Sequence, residues 1–214
     1  MPTMLWDVTE SKYRDLKTGA LILPPIPTGA WAGIGDSTWY QDGLGESRIK
    51  TLLTAKGYAP EDGGFYGAIG KAIFTADVNG KTVPQNISDI RAVLGREPDV
   101  WLFNLGANGS GRTETEVRAD IDIAFDALGD LWSRVVWVGL SQAGGVSNEA
   151  TRLQWNSYAA PRVTGRGGEF FDWYTYTKTV GDAGWWQADG VHMTTLGYEQ
   201  KNIALTDLIG TAGA

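Results

Sequence analysis

Asp99-Val100-Trp101-Leu102-Phe103-Asn104-Leu105 is an almost continuous apolar run of strand length. A strand with one wet face alternates apolar and polar residues, whereas a run like this marks a strand covered on both faces, the habit of parallel sheets. A glycine-rich loop follows at 106–111, and residues 113–132 then carry the clearest helical pattern in the chain. Thr113 with Glu116 matches a capping box, and Val117, Ile121, Ala124, Phe125 and Leu128 make one apolar stripe. Val135-Val136-Trp137-Val138-Gly139-Leu140 is another buried strand. Upstream, residues 30–36 predict a short buried strand ended by Gly35 and the turn at Asp36-Ser37, and 42–56 has helical spacing with Gly57 as its stop. Strands alternating with amphipathic helices predict an α/β protein with a mostly parallel sheet, whose functional groups gather at the carboxyl ends of the strands.

Elsewhere the pattern predicts a helix at 86–94 capped by Asn86 or Ser88, a helix at 149–158 ending before Pro161, a strand-like stretch at 169–176 and a helix at 195–208. Residues 57–84 are glycine-rich and receive no assignment. Residues 1–29 predict an extended arm packed on the domain, because Pro24, Pro25 and Pro27 lock φ and remove donors. No repeat or linker divides 30–214, which is expected to form a single domain.

Composition narrows the function. The net charge of −7 argues against nucleic acid or an anionic membrane as the main partner. With no cysteine, thiolate chemistry and disulfides are excluded, and no metal or cofactor is expected, for want of His clusters or a calcium-loop pattern. Residues 1–20 hold interspersed charges rather than a signal-peptide apolar core, and no run is long enough to span a membrane. The chain therefore reads as soluble. Secretion, or origin in a larger cell-surface-acting or phage polypeptide, stays open, as does the assembly state.

The chain has one histidine, in Trp186-Gln187-Ala188-Asp189-Gly190-Val191-His192. Any imidazole general base must be His192, and Asp189, three residues earlier, can reach back to fix its tautomer. A candidate nucleophile lies far upstream in Gly33-Ile34-Gly35-Asp36-Ser37-Thr38.

Together these stretches resemble the SGNH (GDSL-type) hydrolases over about residues 30–205. Gly35-Asp36-Ser37-Thr38 is similar to the block with the nucleophilic serine, and Gly67-Ala68-Ile69-Gly70 has the glycine spacing of the second. Gly106-Ala107-Asn108 is similar to the third, and Asp189-Gly190-Val191-His192, followed by Gly197-Tyr198, to the last. Departures are Phe65 where the family usually has Asn, Lys71 after the second glycine, and Gly109 where an Asp usually follows Asn108. The resemblance implies a flavodoxin-like three-layer α/β/α sandwich and ester hydrolysis by a Ser37–His192–Asp189 triad. Its implied oxyanion hole is made by the Ser37 and Gly70 backbone N–H groups, with Gly67 as the alternative to Gly70, and the Asn108 side chain.

A second serine needs weighing. Gly139-Leu140-Ser141-Gln142-Ala143 approaches the nucleophile elbow of α/β-hydrolases, with Asp172 or Asp189 as partners, but too few residues separate Ser141 from His192 for that fold. Trp39, Tyr40, Trp185 and Trp186 flank the candidate site and are candidates for substrate contact. The expected substrate is a small-molecule or glycan ester, with O-acetyl groups on carbohydrate or cell-wall glycan favoured. Two other readings stay open: a lipase or thioesterase for longer acyl chains, and a non-catalytic glycan-binding or attachment module on a hydrolase scaffold.

Overall fold

The computed structural model describes residues 31–40, 64–144 and 148–211, with short stretches at 4–7, 12–15, 21–22, 51–52 and 54–55. Near the N-terminus β1 (Met4–Asp7), β2 (Lys12–Asp15) and β3 (Leu21–Ile22) form a small antiparallel sheet of their own. The main sheet is five-stranded and all parallel, built from β4 (Trp31–Gly35), β5 (Phe65–Gly67), β6 (Val100–Asn104), β7 (Val135–Val138) and β8 (Glu169–Phe171) in the order β5-β4-β6-β7-β8. The chain leaves β4 for β5 on one side and returns to place β6 on the other. The carboxyl ends of β4 and β6 therefore flank the crevice where sheets of this kind carry their sites.

Helices cover both faces, giving three layers. Trp101 and Phe103 of β6 point to one face, with Ile34 and Trp137, where Ile87, Val117 and Trp155 meet them. Val100 and Leu102 point to the other, with Trp31 and Val138, and pack against Trp173, Tyr198 and Leu205. Every side chain of β6 is buried, which is why its sequence shows no alternation. The first face belongs to α2 (Val83–Leu94), α3 (Glu114–Leu128) and α4 (Glu149–Gly165), the second to α5 (Trp173–Val180) and α6 (Thr195–Thr211). A short helix, α1 (Ser37–Tyr40), begins directly after β4. Among the described residues no helix is long and apolar enough to cross a membrane.

Three expectations need correction, and each fails to a local competitor. The helix expected from residue 86 starts at Val83, capped by Thr82 rather than Asn86 or Ser88. The Thr82 side chain accepts from the Gln85 N–H while Gln85 returns a bond to the Thr82 N–H, with Pro84 in the first turn. The helix expected to stop before Pro161 runs through it to Gly165. Trp155, Ala159 and Val163 continue one buried face across the proline, and Arg162 and Arg166 pair with Asp122 on α3. Ser157, whose carbonyl loses its helical donor to the proline, is exposed and open to water. The strand-like stretch at 169–176 is β8 followed by α5, because Asp172 accepts from the Thr175 N–H at 3.0 Å and starts a helix. Trp173 then stacks on Trp185 and Tyr176. The helix expected over 42–56 lies largely outside the described residues.

Candidate active site

β4 delivers the serine. Gly35 ends the strand where a Cβ would lie 2.5 Å from that of Trp39, so the tight turn needs glycine. Asp36, fully buried, then folds its carboxylate back over the start of α1. Oδ1 accepts from the Thr38 N–H (2.9 Å) and hydroxyl (2.7 Å), and Oδ2 accepts from the Ala107 N–H (3.2 Å). This capping uses the Thr38 N–H and leaves that of Ser37, first in the helix, with no partner among the described residues.

The histidine arrives on a tight loop. Its ends are drawn together by an antiparallel bridge between Trp186 and Met193, with Gln187 N–H donating to His192 O (2.9 Å) and Thr194 N–H to Trp185 O (2.8 Å). Ala143 N–H donates to Gly190 O (3.0 Å) and ties the loop to the segment after β7. Within it, Asp189 Oδ1 accepts from the N–H groups of Val191 (2.8 Å) and His192 (2.9 Å), while Oδ2 stands 2.6 Å from His192 Nδ1. Desolvation pulls the Asp189 carboxyl up, but the hydrogen bonds from the His192 ring and the two backbone N–H groups outweigh it and hold the pKa at about 2. An ionised Asp189 only accepts, so Nδ1 carries the proton and the neutral ring turns the Nε2 lone pair outward. His192 Nε2 lies 3.2 Å from Ser37 Oγ, 155 residues away in sequence. Asp189, His192 and Ser37 thus form one hydrogen-bonded line.

Asn108 sits in a single 3-10 turn, Ala107–Gly109, after Gly106, whose φ of 128° and 2.4 Å approach of a would-be Cβ to the Trp155 ring both require glycine. One amide hydrogen of Asn108 goes to Lys71 O at 3.0 Å, which orients the group and leaves the second free to donate. Gly70 is exposed in a left-handed turn with φ 72°, and its N–H has no partner among the described residues. Gly67 closes β5 opposite Gly35.

Lys71 and Asp77 anchor this segment. Their side chains are fully buried and paired at 3.0 Å, Tyr66 donates to the same carboxylate oxygen (2.7 Å), and Lys71 also donates to Lys81 O (3.2 Å). Against desolvation, the hydrogen bonds from Tyr66, the Lys81 N–H and Lys71 hold the Asp77 pKa at about 2. Lys71→Met is expected to destabilise the fold by roughly 3–5 kcal/mol in urea unfolding, because it leaves a buried carboxylate with its hydrogen-bond donors but without its cation. The folded-state pKa of Asp77 is depressed, so its stabilisation is full above the ordinary carboxylate range and fades as pH falls toward about 2. In Lys71→Met that acid loss should shrink; an unchanged urea midpoint would refute the anchoring role.

Ser141 lies elsewhere. It is buried, its hydroxyl faces that of Thr177 at 3.2 Å, and the one imidazole faces Ser37. The aromatic contacts need correction in part. Trp39 and Trp185 are core residues, 5% and 7% exposed, packed on Phe65 and Trp173, and offer no open ring face. Trp186 is half-buried with its indole N–H on Asp182 (2.8 Å) and keeps some free surface. The side chain of Tyr40 lies outside the described residues. Unforeseen from the sequence is a polar group under the serine turn: Asn104, Tyr198 and Lys201. The signal for Asn104 was a polar residue closing an otherwise apolar strand run; Tyr198 and Lys201 are three apart on one helical face.

No protein-family model matches the chain, and no curated protein matches it. Solved structures do. A protein described as an SGNH hydrolase from Slackia heliotrinireducens aligns with TM-score 0.64 at 16% identity, over 83% of this chain and 97% of that one. A lipase/acylhydrolase from Enterococcus faecalis gives 0.62 at 16%, over 85% and 94%. A catalytic mutant of an acetylxylan esterase from Geobacillus stearothermophilus gives 0.63 at 16%, over 88% and 97%. At such identities the likeness is one of fold. The chain has the three-layer α/β/α fold of the SGNH hydrolases.

Proposed function

We propose that the chain is a serine ester hydrolase. The observation that carries this reading is the line from Asp189 through His192 to Ser37, with contacts of 2.6 and 3.2 Å. Ser37 Oγ attacks the ester carbonyl carbon as its proton passes to His192 Nε2. The resulting imidazolium is stabilised by the Asp189 carboxylate, which takes no proton itself. The carbonyl oxygen, now an alkoxide, is held by the Ser37 and Gly70 N–H groups and the free hydrogen of the Asn108 amide. Collapse breaks the bond to the leaving oxygen, which receives the proton from Nε2 and departs as the alcohol. Water then attacks the acyl-serine with His192 again as base, and the acid and free Ser37 are released.

The substrate proposed is a short acyl ester, with O-acetyl groups on carbohydrate as the preferred class. Likeness in fold to an acetylxylan esterase supports that class. Initial rates on p-nitrophenyl acetate, butyrate and octanoate are the test, with acetate expected fastest. Preference for octanoate would move the assignment to a lipase or thioesterase. Absence of hydrolysis at every chain length, with retained polysaccharide binding, would move it to a binding module. Asn108→Ala should lower kcat on the acetate ester by roughly 10²- to 10³-fold with KM little changed, as expected for a donor whose bond strengthens in the transition state. An Asn108→Ala enzyme with wild-type kcat would remove Asn108 from the oxyanion hole.

A further inference from the structure

Beneath the serine turn lies a buried lysine that the chemistry above does not use. Lys201, on α6, is 4% exposed, and no carboxylate lies within ion-pair distance of it among the described residues. Fully buried lysines are rare unless paired, and a methionine would fill similar space without bringing a charge out of water. The ammonium is spent on the nucleophile's surroundings. It donates to Asn104 Oδ1 and to the backbone carbonyl of Thr38 (3.4 Å). Asn104 Nδ2 donates to the Thr38 hydroxyl (2.8 Å), which donates to Asp36 Oδ1 (2.7 Å). One turn away on the same helix, Tyr198 donates its hydroxyl to the carbonyl of Ser37 itself (3.1 Å). A polarised chain thus runs from cation to anion, Lys201–Asn104–Thr38–Asp36, and crosses the residue next to Ser37. Hydrogen bonds in such a chain strengthen one another in a dry interior.

We propose that Lys201 is a positioning residue for the nucleophile: its ammonium holds the Ser37 turn in the geometry that aims Oγ at His192 and the Ser37 N–H at the oxyanion. This rests on the ester-hydrolase reading of the same site. The charged groups facing Lys201 are Asp36, from the end of β4, which favours the ammonium, and Arg152, from α4, which opposes it. Desolvation, the largest influence, brings the Lys201 pKa down to about 7. Burial likewise pushes the Asp36 carboxyl up, and the nearby ammonium is among the groups that favour its ionised form. Loss of the Lys201 proton leaves an amine that can still donate to Asn104 and Thr38, but it removes the positive charge that strengthens those bonds and supports Asp36. Thr38 is held less firmly, and Ser37 with it. Activity should accordingly rise on an acid limb through His192 and fall on an alkaline limb through Lys201.

The test measures kcat and KM on p-nitrophenyl acetate, and the rate of fluorophosphonate labelling at Ser37, from mildly acid to alkaline pH. The unaltered chain is compared with Lys201→Met and Lys201→Arg. A near-ultraviolet circular dichroism spectrum checks folding. The wild type is expected to show both limbs. Lys201→Met should lose roughly 10- to 10²-fold in kcat, with KM nearly unchanged, and lose the alkaline limb. Lys201→Arg, which keeps its charge at every pH used, should recover much of the rate and stay active into the alkaline range. If Lys201→Met does not fold, the arginine variant and the wild-type profile decide. A wild-type rate that stays level through the alkaline range overturns the proposal. So does a folded Lys201→Met, or in its place Lys201→Arg, that keeps the wild-type alkaline limb. A wild-type chain that never labels at Ser37 contradicts the hydrolase reading instead, and the positioning role falls with it.

Discussion

Ser37→Ala should leave the protein folded and remove its esterase activity, with kcat on p-nitrophenyl acetate down by on the order of 10⁴-fold or more. The size follows from the role proposed for the hydroxyl: on that mechanism nothing else in the site forms the acyl bond, and the proposed oxyanion donors are left with a reaction without its nucleophile. Stability should hardly change. The hydroxyl's contact is with His192, whereas the turn is held by Asp36 on Thr38 and Ala107 and by Tyr198 on the Ser37 carbonyl. Ser141→Ala is the informative control. It should keep near-normal turnover and lose only about 1 kcal/mol of stability, the worth of one neutral hydrogen bond to Thr177. Turnover lost in Ser141→Ala and kept in Ser37→Ala would reverse the assignment.

His192→Ala should cost as much as Ser37→Ala, because members of such a line act as a unit. Asp189→Asn should cost roughly 10⁴-fold in kcat for a different reason. An asparagine oxygen can still accept from the Val191 and His192 N–H groups where Asp189 Oδ1 does. Its NH₂ then falls where Oδ2 now meets Nδ1, and two donors cannot face each other. The ring must move its proton to Nε2, and Nε2 no longer accepts from Ser37. The geometry survives with the wrong tautomer. The single histidine makes the point measurable, since one imidazole set of NMR signals can be followed beside the acid limb of kcat/KM. An acid limb that does not coincide with the imidazole titration, or a His192→Ala enzyme of near-normal rate, would exclude His192 as the base.

What could be read in advance depended on whether the deciding physics is local. β6 was legible because both its faces are buried, and α3 because Thr113 and Glu116 cap it within one turn. Asp189 and His192 were legible as a candidate pair because the chain has one histidine with a carboxylate three residues before it, and Ser37 through the resemblance of Gly35-Asp36-Ser37-Thr38 to the SGNH block with the serine. β5 was not, since three residues inside a glycine-rich segment carry no period. The path of α4 through Pro161 is decided by ion pairs to Asp122 and by a buried face, neither visible in a propensity reading. Asp172 could have been recognised as a cap, but the aromatic residues after it suit a strand equally well. Trp39 and Trp185 show the limit for aromatics: residues beside a site in sequence can turn into the core. Lys201 was invisible for the opposite reason, because a lysine in an amphipathic helix is ordinarily solvated, and only the assembled helix and turn bury it.

The most direct measurement is the site of covalent capture. The wild-type chain is treated with a fluorophosphonate at neutral pH, digested, and the modified peptide sequenced by mass spectrometry. The expected result is one adduct, on Ser37, absent in Ser37→Ala and formed far more slowly in His192→Ala. An adduct on Ser141 or another serine, or none while ester hydrolysis proceeds, would contradict a Ser37 nucleophile activated by His192.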